Sequence, residues 1–238
     1  MNRDKRIHGL SDRLSDVVLV VFCTIIMLIV AYPLYYVLVA SFSDPYDVYA
    51  GKTFLLPSQF TLKGYTSVFA DQRIFSGYFN SIKYTVIGTL FSVVLIFCTA
   101  YPLSKKSLPG RKWISIFFII TMYFGGGLVP TYLLVKNLGL LDTRTILVIM
   151  GGLSVYNLIV SRVYFATSIP EILYEAAEID GAGEYRKFLS IALPLAKPII
   201  AVMVLYYAVG HWNNYFDALI YVTDRELEPL QLVLRRVL

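Results

Sequence analysis

The chain has 238 residues, 57% of them hydrophobic and 16% charged, against about a quarter charged in a typical soluble domain. That deficit excludes an ordinary water-covered globule, because the polar residues gather between long apolar runs and are not spread along the chain to cover a core. The net charge of +5 does not point to nucleic acid either, since Lys and Arg flank the apolar runs and form no basic face with interleaved aromatics.

A helix needs about 20 mostly apolar residues to cross the hydrocarbon core of a bilayer, and five stretches qualify. They run from Val17 to Ala40, Tyr84 to Leu103, Trp113 to Val135, Ile146 to Tyr164 and Pro198 to Tyr215. The first is too long for a signal-peptide core and no small-residue cleavage pattern follows it, so it reads as a retained anchor. Cys23 and Cys98 lie inside apolar runs without metal-binding spacing and read as small hydrophobes. The fold class is therefore all-α, a polytopic membrane helical bundle forming one transmembrane domain over residues 1–238.

Short loops set the orientation through their Lys and Arg content. Arg3, Lys5, Arg6 and Arg13 precede the first stretch, and Lys105, Lys106, Arg111 and Lys112 lie between the second and third. Both segments are expected on the cytoplasmic side, with the amino terminus inside and Ser41 to Tyr78 outside. That outer segment has room for short helices. After the fifth stretch the chain emerges outside, and Phe216 to Leu238 is too charged to cross.

Residues 168–197, between the fourth and fifth stretches, are more specified than a plain loop requires. Ser168 and Glu171 fit an S-x-x-E capping box with Pro170 in the first turn, which predicts a helix start. Glu171, Glu175 and Glu178 then recur along one stripe, and Ala176 and Ala177 keep the surface beside it shallow. Gly181 suits the left-handed stop of a helix. A second short helix with Tyr185, Phe188, Leu189 and Ala192 at helical spacing is expected to end at Pro194. An interfacial helix lying on lipid is the competing reading, but such helices present Lys and Arg to anionic lipid, and this stripe is acidic.

Glu175-Ala176-Ala177, Gly181 and Ile191-Ala192-Leu193-Pro194, at these spacings, resemble the EAA loop of permeases from binding-protein-dependent ABC importers. Ala100 to Ser104, Pro109 to Lys112, Leu138 to Thr143, Ile179 to Ala182 and Trp212-Asn213 resemble the maltose-type carbohydrate branch. Phe124 to Pro130 is similar to its oligosaccharide subgroup. The resemblance extends from the first stretch onward and implies a cell-membrane subunit that moves a carbohydrate inward. It implies as partners a second homologous permease, a cytoplasmic ABC ATPase dimer, an external solute-binding protein and lipid, with no nucleic acid. It assigns ATPase coupling to Glu175, Ala176, Ala177, Asp180, Gly181, Ile191, Leu193 and Pro194, with Glu175 facing a basic group on the ATPase.

No G-x-x-x-x-G-K-[ST] run occurs in the sequence, so the chain is expected to bind no nucleotide cofactor of its own and to leave ATP and Mg to the partner ATPase. It is accordingly read as a transport subunit, not an enzyme. Tyr207, Trp212, Asn213 and Tyr215 combine ring faces for stacking on sugars with an amide for hydroxyls, and are the candidate substrate-pathway residues. For Trp212 and Tyr215 an outer aromatic belt is the alternative. The family pattern has six spans, so the gene product is expected to continue past Leu238 into a sixth. A secondary transporter would call for intramembrane charges or an inverted repeat, and a membrane enzyme for convergent acid–base or metal ligands; neither pattern is evident.

Overall fold

The computed structural model describes residues 10–237; Arg3, Lys5, Arg6, His8 and the side chain of Arg13 lie outside the described residues. Two compact units, residues 1–71 and 72–238, make up the chain. Among the described residues the regular elements are helical, with one isolated bridge between Ser43 and Phe60.

In the first unit, α1 (Leu10–Ser41) contains the first predicted span as one unbroken helix. Its apolar side chains from Val17 to Leu38 are exposed almost throughout, the all-round hydrophobicity of a helix solvated by lipid. The outer segment carries the short helices expected of it, α2 (Pro45–Tyr49) and α3 (Lys63–Ala70). Asp44 caps α2 by accepting from the Tyr46 amide at 3.0 Å and pairs with Lys63 Nζ at 3.0 Å. Those bonds, the Lys63 bond foremost, hold the Asp44 carboxyl below the usual carboxylate range. Phe42 stacks on Phe60 at 5.6 Å and tilts against Tyr65 at 5.5 Å, closing a small aromatic cluster.

The second unit is built on α4 (Gln72–Ser104), a 33-residue helix. At 1.5 Å per residue it is about 50 Å long, well beyond the roughly 30 Å hydrocarbon core. Its buried face includes Gly77, Ser81, Gly88, Ser92 and Ala100. Apolar lipid supplies no hydrophobic drive for helices to associate, so small side chains that let backbones approach are the effective packing device. Further along, Ile96, Phe97 and Tyr101 meet Leu158, Phe165, Met203 and Tyr207 in the larger core cluster.

The third and fourth predicted spans are interrupted. The third is α5 (Arg111–Tyr123) and α6 (Leu128–Asn137), whose axes meet at 114°. The bend falls at Gly125 to Gly127, with Gly127 at φ 84°. The fourth is α7 (Arg144–Ile149) and α8 (Val155–Thr167), each capped by the residue before it, Thr143 and Ser154. After α8 come α9 (Glu171–Ile179), α10 (Glu184–Lys187), a π-turn over Phe188–Ala192 and the short α11 (Leu193–Leu195). The fifth span is α12 (Lys197–Asn213), with Pro198 in its first turn as expected, and the segment Glu184–Leu195 before it meets α12 at 80°. Among the described residues, α1 and α4 are the helices long and apolar enough to cross a membrane unaided, and counting each bent pair as one span brings the number to four.

The charged tail forms α13 (Phe216–Tyr221), which packs on α7, and then a 3₁₀ turn (Arg225–Leu227) and α14 (Leu230–Val237), which pack along α4. Asn80 Nδ2 donates to the Glu226 carbonyl at 2.7 Å and the Glu228 carbonyl at 3.1 Å. Tyr84 Oη donates to the Leu227 carbonyl at 2.9 Å, and Ser81 Oγ accepts from the Leu230 amide at 2.8 Å. Asp142, at φ 53°, accepts from the Thr223 and Asp224 amides and so ties the α6–α7 loop to this tail. The same bonds depress its carboxyl pKa. Asp142→Ala should therefore speed amide exchange over 222–227, whereas Asp142→Asn, which tolerates the left-handed conformation and still accepts a hydrogen bond, should keep most of the protection. Equal protection in wild type and Asp142→Ala would remove this role.

Candidate functional site

The segment between α8 and α12 is the most elaborated part of the chain. Its helix does not start by the expected capping box. Ser168 closes α8, with its backbone in the α region and its amide bonded to the Tyr164 carbonyl, and Pro170 stands at the N-cap of α9 without a side-chain cap. The hydroxyl thought to start the helix belongs to the end of the previous one, and the fixed φ of Pro170 presets the entry.

The other end of α9 follows the sequence. Gly181 has φ 76°, its amide bonds to the Glu178 carbonyl at 3.0 Å, and the Ala182 amide bonds to the Ala177 carbonyl at 2.8 Å. This is a Schellman closure, which needs the left-handed conformation that glycine adopts without cost. Asp180 occupies the C-cap just before it.

One residue of α9 faces inward. Tyr174 is buried, 6.2 Å from the Tyr101 ring, with Lys105 Nζ 2.8 Å above its own ring. Burial pushes the Tyr174 hydroxyl up to about 12 and draws the Lys105 amine below its ordinary range. Around the rest of its surface α9 exposes Glu171, Glu175 and Ala176 together with Ile172 at 68% and Ile179 at 88% exposure. A rigid helix showing apolar and acidic groups side by side offers a partner both a desolvated contact and a charge.

The three carboxylates of the stripe are not equivalent. Glu178 is used internally, pairing at 3.0 Å with Lys187 Nζ, which also pairs at 3.0 Å with Glu184. Among the described residues Glu175 makes no ion pair or side-chain hydrogen bond. Lys187 itself is buried, a residue that amphipathic spacing gave no reason to single out. Its bonds to Glu178 and then Glu184 raise its amine, and the bond from Lys187 lowers the Glu184 carboxyl. The sign follows directly: the lowered Glu184 stabilises the elbow above the ordinary carboxylate pKa and loses that contribution as pH falls through its lowered value. The raised Lys187 contributes below the ordinary lysine pKa and loses it as pH rises through the raised one. Between those limits the clamp holds. Lys187→Met, which keeps the stem and removes the charge, should raise amide exchange across 178–184 at neutral pH while exchange in α4 stays as in wild type. Unchanged exchange at the elbow would remove the clamp.

Pro194 does not end the second helix. It sits inside α11, and the strain of a proline there is taken up by the preceding π-turn, in which the Leu193 amide reaches back to the Phe188 carbonyl. The wider turn accommodates a ring that cannot donate to the carbonyl four residues earlier. Ile191 and Leu193 pack partly against the core and Pro194 is exposed, so these residues seat the loop while Glu175, Ala176 and Gly181 face outward.

Trp212, Asn213 and Tyr215 cluster at the far end of α12. Trp212 meets Tyr78 edge-on at 5.6 Å, Asn213 donates to its own helix at Val209, and Arg235 lies 5.1 Å over Tyr215. Tyr207 stands apart from them. It is buried in the core, and its hydroxyl accepts from the Ser154 amide at 3.1 Å, joining α12 to the start of α8.

A family model described as "Binding-protein-dependent transport system inner membrane component" matches residues 1–224. The chain belongs to this family. The permease is 40% identical over 227 residues to Protein LplC of Bacillus subtilis, covering 95% of this chain and 77% of that protein. It is 37% identical over 228 residues to the polygalacturonan/rhamnogalacturonan transport system permease protein YtcP of the same organism, covering 96% and 79%. A crystal structure of a bacterial ABC transporter involved in the import of the acidic polysaccharide alginate contains a chain that superposes with TM-score 0.91 at 35% identity, covering 98% of the permease and 82% of that chain.

Proposed function

We propose that the permease is one of two membrane subunits of an ABC importer that carries a carbohydrate inward, driven by ATP hydrolysed on separate subunits. The observation that carries the reading is Glu175, exposed on a helix fixed at its stop by the Gly181 closure and free of any ion pair among the described residues. Such a carboxylate is available to a partner's cation, and the neighbouring Ile172 and Ile179 supply the apolar contact. Carbohydrate as the cargo is supported by the substrates named for YtcP and for the alginate importer. Docked on an ATPase, α9 would transmit closure of the ATPase dimer as a rigid-body movement through the packed α10 to α12 segment, since packed elements move between discrete arrangements and not by continuous deformation. An external binding protein would deliver the sugar near Trp212, Asn213 and Tyr215.

The test is uptake of labelled oligosaccharides by proteoliposomes holding both permeases, the ATPases and the binding protein. ATP-dependent accumulation is the expected result, and no accumulation of any oligosaccharide would overturn the reading. The orientation is tested separately, in a background lacking Cys23 and Cys98. Lys106→Cys should resist a membrane-impermeant thiol reagent added to intact cells, and Lys52→Cys should react. The reverse pattern would invert the topology.

A further inference from the structure

The first three turns of α4 precede its apolar run, and two adjoining clefts open beside them. One, of about 360 Å³, is lined by Arg73, Arg225, Glu228, Val233 and Arg236. The other, of about 400 Å³, shares Arg73 and Arg225 and adds Lys83, Arg144, Glu226 and the ring of Phe79. Both volumes fall in the range of about 300–1,000 Å³ typical of small-ligand sites.

In the second cleft Lys83, Arg144 and Arg225 stand around one carboxylate, Glu226. Glu228 is already engaged with Arg236 at 3.0 Å, and the backbone carbonyls of Glu226 and Glu228 accept from Asn80. Phe79 is 59% exposed, with Lys83 Nζ 4.2 Å over its ring. Neutral sugars are recognised by groups that can accept from hydroxyls as well as donate to them, but Arg and Lys only donate. A guanidinium fork complements a carboxylate in bidentate fashion, and an exposed aromatic edge beside it offers apolar contact to a pyranose ring.

We infer that these clefts receive the carboxylates of a uronic-acid oligosaccharide on its way into the permease. This deepens the import reading and rests on it, with α4 entering from the outer side. The acidic cargo named for the structurally similar alginate importer agrees in charge, but the arrangement of Lys83, Arg144, Arg225 and Phe79 is what carries the assignment. Long-range attraction from such a cleft also concentrates an anionic ligand at its mouth and weakens as salt is added.

The assembled transporter, in nanodiscs of zwitterionic lipid and without binding protein, should bind trigalacturonate at least about tenfold more tightly than maltotriose, the worth of roughly one charge-assisted hydrogen bond. The gap should narrow at high salt. Arg225→Glu should erase the preference and Lys83→Gln should reduce it, with all subunits still co-purifying, while Lys112→Gln in the first turn of α5 leaves it intact. If Arg225→Glu fails to assemble, Lys83→Gln decides. Equal affinity for the two trisaccharides, or a preference untouched by these substitutions, would overturn the assignment. It would also be overturned if the variants weakened only the docking of ligand-free binding protein, which would make the surface a protein contact. Proteoliposomes that accumulate neutral sugars without favouring uronates would leave the import reading standing and remove this one.

Discussion

Glu175→Lys should abolish oligosaccharide uptake and binding-protein-stimulated ATP hydrolysis in the reconstituted transporter. The substitution places like charge against the cation expected on the ATPase. Truncating one partner of a desolvated charge pair costs about 2–5 kcal/mol, which is roughly thirtyfold to several thousandfold in docking affinity, and reversing the charge adds repulsion to that loss. Within the chain the substitution removes no ion pair or side-chain hydrogen bond among the described residues, so membrane insertion and subunit folding should be preserved. Glu175→Gln keeps the shape without the charge and should fall between the two. Gly181→Val attacks the same mechanism differently. A β-branched residue at φ 76° is a backbone outlier, and the left-handed conformation costs a residue with a Cβ roughly 1–2 kcal/mol, so the elbow should loosen and coupling should weaken while docking persists. A Cβ at Gly181 would meet no neighbouring atom within 4 Å, so the defect would come from the backbone and not from a clash. Wild-type uptake and wild-type stimulation in both variants would sink the coupling role of α9.

How much of this arrangement could be read beforehand depended on where each partner lay. The helices α1 and α4 were legible because their apolar runs are long and unbroken. The stop at Gly181 was legible because a Schellman closure is local and glycine is its signature. The start of α9 was misread for a local reason too: Ser168 satisfied a start pattern, but the preceding helix had already taken that residue. The breaks after Tyr123 and Ile149 gave weaker signals, since glycines inside an apolar run are compatible with close packing as well as with a bend. Lys187 was not singled out, because its bond to Glu178 crosses the elbow and helical spacing does not report its burial. The tail was least accessible of all. It read simply as too charged to cross, whereas Asn80 holds Glu226 across 146 residues of sequence, and no periodicity reports such a pairing.

The contact between α4 and α12 yields the second large effect. A Cβ added at Gly88 would stand 2.6 Å from His211 Cε1 and 2.7 Å from both ring nitrogens. Side chains usually relieve such crowding by swinging aside, but His211 is buried and its Nε2 lies 3.3 Å from Ser92 Oγ, one turn along the same α4 face. To move, the ring must give up that hydrogen bond inside the helix pair or force α4 and α12 apart, and buried polar groups left without partners are costly in a bilayer. Gly88→Val should therefore destabilise the permease by about 1–3 kcal/mol, the usual cost of overpacking, and the crowding can be separated from a general intolerance of valine by removing the ring. His211→Ala alone should cost stability by opening a void and orphaning Ser92, yet the double variant should be more stable than the sum of the two single losses predicts, because each substitution removes what the other collides with. Thermal unfolding of the purified transporter in nanodiscs, followed subunit by subunit through proteolysis, gives the four stabilities needed. Strict additivity would mean that Gly88 is required for some reason other than the approach of His211, and the close-packing account of the α4–α12 contact would fall with it.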